Sequence, residues 1–164
     1  MLATTPATAL WFLPFLIPIA IWVSFSDMKF MKIPNMAVLA LTLVFAVIGL
    51  LALPTEIWAW RWVQLVVVLV IGFVASSAGF VGAGDAKFAA AMAPFFPAAD
   101  FRFVLALFAS AILGAFASHR ALRAIGPVRA AAPDWASWTN RDFPMGLALS
   151  GTLVFYFLAA LRFG

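Results

Sequence analysis

The chain has 164 residues, 66% of them hydrophobic and 10% charged, with ten Lys and Arg against six acids and a net charge of +4. A mean hydropathy of +1.12 excludes an ordinary water-soluble core, and no basic cluster interleaved with solvent-exposed aromatics is present to bind nucleic acid. The absence of cysteine excludes disulfides, a cysteine nucleophile and thiolate-bound metal.

The apolar runs are continuous, as from Gln64 to Ile71. Helices are therefore expected, because a segment in lipid must satisfy its own backbone hydrogen bonds and a barrel would need alternating strands. The first span is predicted over 8–24. No positive region precedes it, so it is expected to be retained rather than cleaved as a signal peptide. Asp27 follows directly. Pro34 opens the second span, 34–53, at a first helical turn, with Asn35 beside it as a capping or positioning amide. A third span is predicted over 62–81, ending at Gly82-Ala83-Gly84-Asp85.

The fourth segment, 85–97, is short, about 20 Å as a helix, and either crosses or turns back. Spans over 101–118 and 143–161 follow, separated by a basic loop, 119–142, broken at Gly126-Pro127 and Ala132-Pro133. Charge favours crossing. Six spans put Lys29, Lys32, Lys87, Arg120, Arg123, Arg129 and Arg141 on one side and only Arg61, Arg102 and Arg162 on the other, the bias expected of a cytoplasmic face. The prediction is thus a single all-α, polytopic membrane domain over 1–164 with six transmembrane helices and both termini outside.

That topology sets Asp27 and Asp85 at the same interface. A carboxylate at the end of a membrane helix is costly and marks function by default. Two carboxyl groups sharing one proton supply an acid and a base together, because like charges so close cannot both ionise easily. One can take a proton from water while the other protonates a peptide carbonyl. No Ser-His-Asp set competes, since the single histidine, His119, has no nucleophile motif around it. One histidine without cysteine makes no usual zinc site either. Gly82 and Gly84 are expected to free the backbone for positive φ and for close approach of another chain. Lys87 stabilises an ionised carboxylate, attracts acidic groups of a substrate, or anchors the topology. Asp134 and Asp142 are expected in solvent, Glu56 and Asp100 at the opposite face, and His119 as an interfacial cation.

Asp27 to Asn35, in the pattern Asp-x6-Pro-Asn, followed by Gly82-Ala83-Gly84-Asp85-Ala86-Lys87, resembles the prepilin peptidases, which are GxGD-type intramembrane aspartic proteases. Phe143-Pro144-Met145-Gly146-Leu147-Ala148 is similar to the Pro-x-Gly-x-Ala segment that opens the family's last helix. The resemblance implies that Asp27 and Asp85 are the catalytic pair, with Gly82, Gly84, Lys87, Pro34 and Asn35 in support. It implies removal of a short basic leader from prepilins, ahead of the pilin's hydrophobic helix, at the cytoplasmic face of the bacterial inner membrane, with no metal and no cofactor. Prepilin and the lipid bilayer would be the partners. Larger members insert a cysteine-bearing domain after the first span and methylate the new N-terminus. The short connection and missing cysteines here resemble the compact Tad/Flp branch, so methylation is not expected. The competing classes are a small proton- or cation-coupled carrier and a non-catalytic pilus assembly component. A carrier would place its acids near the midplane, commonly within repeats, and no repeat is visible.

Overall fold

The computed structural model describes residues 1–164, and the chain is helical without strands. Helix α1 (Pro6–Phe30) starts where Thr5 caps it, the hydroxyl accepting from the Thr8 N–H at 3.2 Å, with Pro6 in the first turn. Both features suit a helix start, where donors lack intrahelical partners and proline loses nothing. It stops at Met31, whose left-handed backbone (φ 52°) lets its N–H close on the Asp27 carbonyl at 2.9 Å. Ser26 donates to the Lys32 carbonyl at 2.9 Å and folds the chain back. Three residues after Lys32, α2 (Asn35–Ala52) returns.

Helix α3 (Thr55–Ser77) begins well before the expected residue 62. Arg61 lowers the local hydropathy, yet it lies inside the helix, its guanidinium donating to the Pro94 and Phe95 carbonyls at 3.3 and 3.4 Å. Gly79, at φ +79°, ends the run short of 81. Helix α4 (Ala83–Met92) and two short 3-10 turns (Ala93–Phe95 and Ala98–Asp100) lead into α5 (Phe101–Ala124). Helix α5 extends beyond the expected end at 118, through His119, Arg120 and Arg123 of the predicted loop. A short α6 (Gly126–Ala131), a turn at Ala136–Trp138 and α7 (Met145–Phe163) complete the chain.

Helices α1, α2, α3, α5 and α7 are long and apolar enough to cross a membrane. The ten-residue α4, placed as a crossing by the charge argument, is not among them. Asp85 lies at its polar start, ahead of the apolar stretch Phe88–Phe96. At the far end Asp100 accepts from the Ala3 N–H at 2.9 Å and from Tyr156 Oη at 2.6 Å. The Leu2 N–H donates to the Phe163 carbonyl at 2.8 Å, so both termini meet at this end.

The core lies among α1, α2, the α4 leg and α7. On α2 it draws on Ala37, Leu41, Phe45 and Gly49, an i, i+4 stripe on one face. Phe95 is the hub: its ring meets Phe12 at 5.1 Å and Phe45 at 5.3 Å, both edge-on, the geometry aromatic quadrupoles favour. Helices α3 and α5 are peripheral, α3 against α4 and α5 against α7. A Cβ at Gly72 of α3 would meet that of Ala86 at 3.0 Å, so glycine sets how closely α3 approaches the start of α4.

Candidate active site

Asp27 occupies the last turn of α1, only 5% exposed in a chain with few charges. Its Oδ2 accepts from the Gly146 backbone N–H at 2.7 Å. Gly146 lies in the first turn of α7, where N–H groups have no intrahelical acceptor and the helix dipole favours negative charge. The contact requires glycine. A Cβ there would stand 2.9 Å from Asp27 Oδ2 and 3.0 Å from Asp27 Cβ.

Asp85 lies in the first turn of α4, half-buried, at the same end of the bundle. Burial pushes its carboxyl up to about 6, and the nearby Asp27 charge acts in the same direction, against the backbone N–H of Gly82. The two carboxyl groups are therefore close enough to influence each other's ionisation, though they come from segments more than fifty residues apart in sequence. Gly82 serves this site by space and not by dihedral angle. Its φ is −63°, open to any residue, but a Cβ would fall 2.6 Å from Asp85 Oδ2. Gly84 also avoids positive φ. A methyl there would only touch Ile33 at 3.4 Å, an ordinary contact. The expected left-handed freedom of these two glycines is not used; the left-handed glycine is Gly79, just upstream.

Lys87 is exposed and its Nζ donates to Asn35 Oδ1 at 3.4 Å, tying the start of α4 to the start of α2. It thus reaches an amide and not a carboxylate. Pro34 holds extended backbone (φ −65°, ψ 135°) at the α2 cap position, and the Asn35 side chain makes no cap bond. Asn35 serves as the acceptor for Lys87.

The 119–142 region folds back over the end of α1. The Ser137 hydroxyl contacts the Met28 sulfur at 3.9 Å, and Trp135 meets Phe25 edge-on at 5.9 Å. His119 is no interfacial cation: it is 4% exposed, its ring stacked on Trp138 at 5.4 Å with an interplanar angle of 16°. Two tryptophans in a polar loop were the available signal for that packing. Asp134 and Asp142 are exposed. Asp100 lies at the far end of the bundle, buried and bonded as described above.

Sequence reasoning missed Gly146 as the direct partner of Asp27. The signal was the glycine two residues after Pro144, where a helix-opening N–H could meet a carboxylate. As a pair, a buried and a half-buried carboxyl group at one polar end of an apolar bundle can hold one proton between them, accept a second from water and return it to a substrate atom.

The sequence matches the model of the type IV leader peptidase family over residues 14–118, a stretch that contains both aspartates and ends before Gly146. No curated protein and no solved structure matches the chain.

Proposed function

Because the chain belongs to the type IV leader peptidase family, and so is a membrane-embedded peptidase, we propose that it is an aspartic endopeptidase acting through Asp27 and Asp85. Its substrates are Tad/Flp-type prepilins, from which it removes the short basic leader at the cytoplasmic face of the inner membrane. The observation that carries the reading is that the two aspartates lie at one end of the bundle, Asp27 in the last turn of α1 and Asp85 in the first turn of α4.

In this mechanism the ionised carboxylate takes a proton from a water as its oxygen attacks the scissile carbonyl carbon. The protonated carboxyl gives its proton to the carbonyl oxygen, forming a neutral gem-diol. Collapse breaks the C–N bond as a proton passes to the amine nitrogen, releasing a new carboxyl end and a new amino end. Gly146 N–H holds Asp27 Oδ2 at 2.7 Å, so Oδ1 is the oxygen left to exchange a proton. Proton transfer requires heavy atoms within about 3 Å in the loaded state. Substrate binding supplies that closure.

The cytoplasmic assignment rests on the basic side chains that cluster at the carboxylate end. Confinement to hydrolysis, without methylation, rests on the tight connection from Met31 to Pro34 and on the missing cysteines. The test is co-expression with a pilin precursor carrying a basic leader, followed by mass determination of the pilin. A loss equal to the leader, with an unmethylated new N-terminus, is expected. A precursor of unchanged mass overturns the hydrolytic reading, and a methylated product overturns the restriction to hydrolysis.

A further inference from the structure

An open, largely apolar groove of about 880 Å³ runs between α1 and α5, with α7 as its floor. Its α5 wall extends from Leu107 to Leu122, about 22 Å or four helical turns. Ser110, Gly114 and Ser118 lie along that wall at four-residue intervals, on one face of the helix. Small residues so spaced let helices in lipid approach closely. Nothing from this chain fills the position: a Cβ at Gly114 would meet no atom within 4 Å.

The floor holds a second, independent feature. Ser150 is 2% exposed, lines the groove, and its hydroxyl has no hydrogen-bond partner within the chain. Buried polar groups without a partner are rare in native structures, so this hydroxyl marks a place where a partner belongs. At its polar end the groove reaches Met28 and Leu147, the residues that directly follow Asp27 and Gly146.

We propose that this groove seats the apolar helix of the peptidase's own substrate, a small or hydroxyl-bearing face of that helix lying against α5 and Ser150. The inference rests on the leader-peptidase reading above and adds to it where the substrate docks. A lipid chain could fill an apolar trough but brings no hydrogen-bonding group to Ser150. A peptide helix brings side-chain hydroxyls and has the length of the wall. Seated with its polar end at Met28, it delivers the residues ahead of it to the two carboxyl groups.

The chain has no cysteine, so single cysteines can be placed without background. Ser110→Cys or Ser118→Cys is introduced into the Asp27→Asn protein, which holds its precursor uncut. Each is oxidised in native membranes against single cysteines along the precursor's apolar helix. Disulfides are expected from both positions, to precursor residues two helical turns apart. None is expected from Val66→Cys or Val70→Cys on the outer face of α3, which are 57% and 58% exposed. In the otherwise wild-type protein, Gly114→Leu should raise KM for the precursor at least tenfold; in the Asp27→Asn background it should remove the crosslinks.

Equal crosslinking from α3, or none from α5, overturns the proposal and leaves the groove to lipid. A disulfide between two copies through Ser110→Cys overturns it in favour of self-association. If the wild-type chain cuts the precursor while crosslinks fall elsewhere, only the docking site is lost. If it cuts nothing, the peptidase assignment falls with it.

Discussion

Replacing Gly146 by alanine tests the contact between α7 and the buried carboxylate without touching a titratable group. The added Cβ would lie 2.9, 3.0 and 3.1 Å from Oδ2, Cβ and Cγ of Asp27. Asp27 Cβ is fixed to the α1 backbone and cannot swing aside, so the helices must separate by a few tenths of an ångström. The 2.7 Å bond from the Gly146 N–H lengthens with them. A hydrogen bond to a charged group contributes about 1.5–3 kcal/mol, which corresponds to a rate loss of about 10- to 150-fold. A displacement of this kind at a reacting group has a similar effect, up to about 100-fold for 1 Å. The assay is initial cleavage rate of a basic-leader precursor in membranes, with kcat falling more than KM rises. Gly126→Ala is the control, since a Cβ there meets nothing within 4 Å and the rate should not change. A folded Gly146→Ala protein that cuts at the wild-type rate refutes the role given to this contact.

Asp85→Asn should also change stability, with a sign set by pH. The carboxyl titrates at about 6 in the fold against an ordinary value of 3.8, so the folded state favours the neutral form. The cost therefore develops as pH rises from about 4 to 6 and is full above; solvent screening of this half-buried group holds it to about 1–2 kcal/mol, below the about 3 kcal/mol of the undiscounted shift. Thermal melting in detergent should show the variant more stable than wild type at pH 8 and indistinguishable at pH 4; an equal difference at both values contradicts the assigned ionisation. Tyr156→Phe should lower stability by about 1–3 kcal/mol, because Asp100 loses the donor that stands at 2.6 Å. The cleavage rate of the folded fraction should stay at the wild-type level, since this network ties the termini at the far end of the bundle. A lost rate with unchanged melting would contradict that division.

Much of the architecture was readable because lipid removes alternatives: long apolar runs must be helices, and the placement of basic residues orders them. The expected common end for Asp27 and Asp85 followed from that ordering. Boundaries were less readable where a charge sits inside a helix. Arg61 and the basic turn after Ser118 resembled helix ends because hydropathy cannot see that a guanidinium finds the Pro94 carbonyl, or that His119 finds Trp138 to stack on. The site was legible in its acids and not in its donors. Gly146 acts through a backbone N–H and the room left by a missing side chain, and neither leaves a chemical signature in sequence. Gly82 and Gly84 were read for φ, whereas Gly82 matters through space around the Asp85 carboxylate.

The most direct test of the paired-carboxylate account is the N-terminal mass of pilin made beside Asp27→Asn, Asp85→Asn and wild-type chains. Each amide keeps the shape of its side chain and removes the titratable proton. The account predicts mature pilin with the wild type and full-length precursor with either single variant, each protein being present and folded. Mature pilin from both amide variants at the wild-type level would contradict it.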